Sequence, residues 1–212
     1  VPSAGKKLTR SAAQVRAGLV DPGPLREPEP ERLVPRALGS QAAPRLIDPG
    51  PPAEWRYAGL TVLIGPERAE LRYAREPVGS ARPTPEAITQ AVLRARHRLS
   101  ARSRAPDDLL PALADAYAMI VGQRGARHGD RVPLVDVREQ LASGTRAQFA
   151  WDVARLRRER RLVIDGRRLD LGVATGHETA HRSRVVWIED GGASGRGSYF
   201  ASFRLIAQEA RS

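Results

Sequence analysis

The sequence predicts an α+β fold in which a β-hairpin and helices lead into a C-terminal unit of helices and hairpins, all behind an extended Pro-rich arm. Three observations predict it. Pro2, Pro22, Pro24, Pro28, Pro30, Pro35, Pro44, Pro49, Pro51 and Pro52 are ten of the 17 prolines, and they crowd the first quarter of the chain. Leu60, Val62 and Ile64, then Ala69, Leu71 and Tyr73, alternate with polar residues at the period of a half-buried strand. Further on, apolar residues recur every three or four positions behind helix-start residues.

The arm spans residues 1–54. Segments such as Asp21-Pro-Gly-Pro24 and Asp48-Pro-Gly-Pro-Pro52 lack the backbone donors a helix needs and favour extended conformations. Such an arm is suited to serve as a passive leader or linker, or to lie along a protein partner. Residues 55–106 form the second region. Gly65-Pro-Glu-Arg68 turns the hairpin, and Pro77 with Gly79 ends it. Thr84-Pro85-Glu86 then starts a helix with a capping hydroxyl, a first-turn proline and an acid, and Ile88, Val92, Ala95 and Leu99 share one face.

Residues 107–212 form the third region. Asp107 is placed to cap a helix with Leu109, Leu110, Leu113, Tyr117 and Ile120 inward, ending near Gly122 and Gly125. A short extended Arg131-Val-Pro133 leads into a helix carrying Leu134, Val137 and Leu141. Ala142-Ser-Gly144 breaks it, and Thr145 with Gln148 forms a capping box for the next helix, whose inward face is Phe149, Val153 and Leu156. Leu162 to Leu171 reads as a hairpin turned at Asp165-Gly166, and Val185 to Ile188 is matched to Tyr199 to Phe203 across a Gly-rich loop.

This order, carried by Val132-Pro-Leu-Val-Asp-Val-Arg-Glu-Gln-Leu141 and the run from Thr145 to Leu162, resembles the winged helix-turn-helix superfamily over roughly Asp107 to Leu205. The resemblance implies that the helix over residues 145–160 enters the DNA major groove and that the hairpin over 185–203 touches the flanking backbone. The stretch from Gly166 to Arg184 is longer than a simple wing requires.

Composition points to the same ligand. Lys+Arg number 35 against 24 Asp+Glu, a net charge of +11, and Lys occurs only at Lys6 and Lys7. An arginine-dominated excess favours polyanions and forked hydrogen bonds to phosphate. With no Cys there is no disulfide framework, thiolate zinc site or cysteine nucleophile. No apolar run approaches the roughly 20 residues that span a bilayer, and no signal pattern opens the sequence, so a cytoplasmic protein without membrane contact is expected.

At 100° per residue, Gln148, Trp151, Arg155 and Arg158 lie opposite the apolar face of the third-region helix, which assigns them to base edges and phosphates; Arg146 and Arg161 flank them, and Arg196 lies on the Gly-rich wing loop, whose base carries Glu189 and Asp190. The same face read structurally is a solvated helix paired with Asp152 and Glu159. Arg94, Arg96, Arg98, Arg102 and Arg104, with His97, form a secondary basic patch without an intervening acid, suited to a phosphate backbone or to a helix C-terminal dipole. His177-Glu178-Thr-Ala-His181 matches HExxH, in which two imidazoles would bind zinc and Glu178 would activate water. Gly176 before it and Arg182-Ser-Arg184 after it deny it an apolar helical setting.

The sequence therefore predicts a non-enzymatic protein that binds double-stranded DNA without cofactor or metal. The alternative is an architectural winged-helix subunit of a chromosome-maintenance or defence complex, binding a protein partner through residues 1–54. A zinc hydrolase is the minor alternative.

Overall fold

The structure is a computed structural model that describes residues 44–142, 144–190 and 196–207. It is a mixed α+β protein, and the chain divides into two compact units, Val1–Ala101 and Arg102–Ser212.

The first unit is an antiparallel meander of β1 (Arg45–Asp48), β2 (Ala53–Tyr57), β3 (Leu60–Ile64), β4 (Ala69–Tyr73) and β5 (Glu76–Ala81), paired in chain order. Strands β2, β3 and β4 alternate buried and half-buried residues, so that Trp55, Tyr57, Leu60, Val62, Leu71 and Tyr73 line one inner face. Helix α1 (Pro85–Ala101) buries Ile88, Ala91, Val92, Ala95 and Leu99. The Thr84 hydroxyl accepts from the Ala87 amide at 3.3 Å as its cap, and the Tyr57 hydroxyl donates to Thr89 Oγ1 at 3.2 Å to tie sheet to helix.

Two readings change here. Residues 44–54, taken from sequence as the end of the arm, already belong to the sheet: β1 pairs with β2, and β2 begins at Ala53. All four side chains of β1 are exposed, so no hydrophobic period announces it. The rest of the arm, residues 1–43, lies outside the described residues. Pro77 and Gly79 do not end the sheet either. They sit within β5, an edge strand, where proline need not donate to a ladder, and a bulge after Leu71 absorbs the irregularity.

The second unit opens with α2 (Pro106–Arg124), which Gly125 ends in a left-handed conformation at φ 61°. Asp107 does not cap it. Ala105 is the N-cap residue, and Asp107 lies one position inside the first turn. Strand β6 (Val132–Pro133), α3 (Leu134–Gln140) and α4 (Arg146–Arg158) follow, with Thr145 Oγ1 accepting from the Gln148 amide at 3.2 Å. Then come β7 (Val163–Ile164), β8 (Arg167–Val173), α5 (Gly176–Ala180), a 3-10 turn (Arg182–Arg184), β9 (Val186–Glu189) and the long β10 (Gly197–Ala207).

The β7–β8 turn uses Asp165 and Gly166 at φ 47° and 69°, the double positive-φ geometry that Asp-Gly favours. The sheet order is β6-β10-β8-β7, all antiparallel, with β9 also paired to β10. Strand β9 pairs with β10 from Gly197↔Glu189 to Phe200↔Val186, β6 pairs with it at Ser202 and Phe203, and β8 pairs with it from Phe200↔Val173 to Ala207↔Arg167. Helix α4 packs on β9, α3 on β10, and α2 against α3.

Candidate nucleic-acid interface

Helix α4 is buried all round. Every residue from Ala147 to Ala154 is buried, as is Leu156. This corrects the reading of Gln148 and Trp151 as exposed base readers, because they are only 7% and 9% exposed. A single inward face at Phe149, Val153 and Leu156 is too narrow a description. Ala147, Ala150 and Ala154 are small enough to let neighbouring chain close over the other sides, and the polar residues satisfy one another.

Gln148 Nε2 donates to Asp152 Oδ1 at 3.3 Å, and Ser103 Oγ donates to the same oxygen. Burial raises the Asp152 carboxyl above its ordinary value of 3.8, partly offset by those two hydrogen bonds and by Arg155 and Arg104. Arg155 donates to the Arg104 carbonyl, and Arg104 Nη2 donates to the Leu141 carbonyl at 3.1 Å. Arg155 thus joins α4 to the segment before α2, and Arg104 joins that segment to the end of α3.

The other expected DNA contacts divide. Arg146 donates to the Arg182 and Val185 carbonyls and anchors the segment after α5 to the start of α4. Arg161 pairs with Asp107. Arg158 is exposed and lies over the Trp151 ring at 5.8 Å. Arg196 is exposed at the start of β10, and its carbonyl accepts from the Asp190 amide at 2.9 Å.

The secondary patch divides too. Arg96 Nη1 donates to the Ala58 carbonyl at 2.9 Å, which turns it inward, while Arg94 and Arg98 are exposed in the first unit. Arg102 is exposed in the second unit.

The second unit also exposes cations to which the sequence assigns no contact. Arg160, Arg167 and Arg168 are exposed around the β7–β8 turn, and Arg182 and Arg184 are exposed with His177 and His181 beside α5. None of these arginine side chains has a carboxylate partner among the described residues. The two clusters adjoin opposite ends of α4, whose 13 residues span about 20 Å. The signal for them was the density of arginine over residues 145–184, which composition records without saying which side chains remain free.

The HExxH residues form a local cap. Glu178 accepts from the Thr175 amide at 2.8 Å and the Thr175 hydroxyl at 2.9 Å, a capping box for the five-residue α5. Those bonds hold the Glu178 carboxyl below its ordinary range. The His177 and His181 rings meet edge to face at 5.5 Å between centroids. Among the described residues no three His, Asp or Glu side chains are grouped to hold a metal ion.

No helix among the described residues is long and apolar enough to cross a membrane. No protein-family model matches the sequence, and comparison with curated proteins and with solved structures gives no significant match.

Proposed function

We propose that the second unit is a winged-helix domain that binds double-stranded DNA through its phosphate backbone, without enzymatic activity. The helix order α2, α3, α4 and the strand order β6-β10-β8 support the winged-helix reading, with α5, the 3-10 turn and β9 inserted where a wing would be. The observation that carries the DNA reading is the pair of exposed arginine clusters, Arg160, Arg167 and Arg168 at one end of α4, and Arg182 and Arg184 at the other.

The burial of Gln148 and Trp151 sets the kind of binding. Base edges are read by exposed amides and guanidiniums, and α4 offers chiefly Arg158. Affinity therefore comes from phosphate neutralisation and falls steeply with salt, with little sequence preference. Fluorescence anisotropy with duplexes of unrelated sequence across a salt series tests this. Saturable binding with a steep salt slope and similar affinities supports it, and absence of binding at low salt overturns it.

The burial of α4 also favours a second reading, in which the domain is an architectural subunit that binds protein. That reading expects no duplex binding and a partner lost on deleting residues 1–43.

A further inference from the structure

Strand β5 and helix α1 enclose a groove of about 510 Å³ on the first unit, within the roughly 300–1,000 Å³ of small-molecule sites. Strand β5 contributes Gly79 and Ser80, and α1 contributes Ala91, Arg94, His97 and Arg98. Ala91, Arg94 and Arg98 are spaced three and four apart and so share one face, with His97 beside them. Among the described residues no Asp or Glu lines the groove.

These cations are not accounted for by the fold. Like charges at i and i+4 repel on a helix. The C-terminal dipole favours Arg98 in the last turn of α1, but its effect decays within that turn and does not reach Arg94. Among the described residues Arg94 and His97 have no ion-pair or hydrogen-bond partner. Arg98 is held in place by donating Nη2 to the Val78 carbonyl at 2.8 Å, which leaves its other donors unspent. Gly79 gives that placement room, because a Cβ there would stand 3.3 Å from Arg98 Nη2 and displace the guanidinium by a few tenths of an ångström.

We propose that this groove binds a phosphomonoester carried on a nucleotide-sized body. Two guanidiniums and an imidazole supply more donors than the two oxygens of a carboxylate use, and they suit the three terminal oxygens and double charge of a phosphate. The groove is larger than a bare phosphate needs, and Ala91 and Leu93 give it an apolar wall for the attached group. The phosphate comes either from a free nucleotide or from the 5′ end of a nucleic-acid strand.

Isothermal titration of the full chain at low salt distinguishes these sources. The probes are adenosine 5′-monophosphate against adenosine, and a 5′-phosphorylated oligonucleotide against the same strand with a 5′-hydroxyl. A preference of at least tenfold for the phosphorylated member of either pair supports the site, and the pair that shows it identifies the source. Arg94→Ala, an exposed substitution that spares the core, abolishes that preference, and Gly79→Ala weakens it without changing charge. The site is overturned if neither pair shows the preference, or if Arg94→Ala leaves it intact in a chain with an unchanged circular dichroism spectrum. Comparison within each pair keeps this result separate from duplex binding by the second unit.

Discussion

Gln148 and Asp152 face each other one turn apart on α4, amide nitrogen to carboxylate oxygen at 3.3 Å, and both are buried. Ser103 completes the group by donating to the same Asp152 oxygen. Residues whose spacing suits a DNA surface thus form an internal polar cluster that fixes the segment before α2 against α4. Buried polar groups of this kind hold a packing in register because leaving any one of them unpaired is costly.

The charge on Asp152 is a liability within that cluster. Burial is the largest influence on it and raises its pKa, so the native state binds the proton more tightly than the unfolded chain does. Stability contributed by this group is therefore present below its ordinary value of 3.8 and is lost as pH rises towards the raised native value. Asp152→Asn keeps the oxygen that Ser103 and Gln148 bond and removes the charge. The variant is expected to be more stable than the wild type at pH 7, with the gap closing as the solution is acidified towards pH 3.5. Urea unfolding at both pH values measures it, and a wild type that is the more stable at pH 7 would show that attraction by Arg155 and Arg104 outweighs burial.

Trp151 serves the core more than the surface. It is 9% exposed and carries Arg158 over its ring. Trp151→Ala should cost about 3–5 kcal/mol, the usual range for an aromatic truncated in a packed interior. Gln148→Ala should cost about 1–3 kcal/mol by leaving Asp152 short of a donor. Denaturant titrations give both values. A Trp151→Ala protein of native stability with altered sequence preference on DNA would restore the base-reading role that burial argues against.

How much of this was legible in the sequence depended on whether the signal was local. The β3–β4 alternation, the Thr84 and Thr145 caps and the Asp165-Gly166 turn each depend on neighbours a few residues apart, and all were readable. Strand β1 was not, since its side chains are all exposed and only its backbone pairs with β2. The β8–β10 ladder joins Arg167 to Ala207 and Phe200 to Val173, and no periodicity records pairing across that distance. On α4 a helical wheel placed Phe149, Val153 and Leu156 inward, as found, but set Trp151 on the exposed side, and it could not show that Ser103, far away in sequence, would supply a donor to Asp152 and let that side be buried too.

Glu178 gives a test of the HExxH match. As the acid of a capping box it is replaceable by Gln, which accepts the same hydrogen bonds, whereas Ala loses them. Amide hydrogen exchange at Thr175 and Glu178 should be protected in the wild type and in Glu178→Gln, and fast in Glu178→Ala. Because the Glu178 pKa is lowered, the carboxylate form of the cap is kept as pH falls until that lowered value is reached. Saturation with zinc should change neither the exchange pattern nor the melting temperature; a zinc-dependent rise in melting temperature that His177→Ala removes would reinstate the metal reading.

Gly197 leaves no room for a side chain against β9. A Cβ on it would stand 3.0 Å from Glu189 Cα and closer still to the Ile188 carbonyl, both backbone atoms of β9 that no side-chain rotation can move. Gly197→Ala must therefore open the β9–β10 ladder at its Gly197↔Glu189 end. The expected result is a loss of about 1–3 kcal/mol in urea unfolding, typical of an overpacked interior, with exchange fastest at the β9 amides. Native stability in this variant would mean that the two strands separate here at little cost.

The two arginine clusters should act as independent phosphate contacts. Each phosphate neutralised adds about 0.9 to the slope of log affinity against log salt on duplex DNA. Arg167→Ala with Arg168→Ala should lower that slope by about 2 if both side chains meet phosphate, and Arg182→Ala with Arg184→Ala by a similar amount. All four side chains are exposed and lack carboxylate partners among the described residues, so unfolding midpoints should hardly move. Arg155→Ala makes the contrast, since its half-buried guanidinium donates to the Arg104 carbonyl and lies 4.0 Å from the Glu159 carboxylate. That variant should lose stability and keep the wild-type slope. A slope that drops for Arg155→Ala and stays constant for both pairs would return the DNA contacts to α4 and take them away from its two ends.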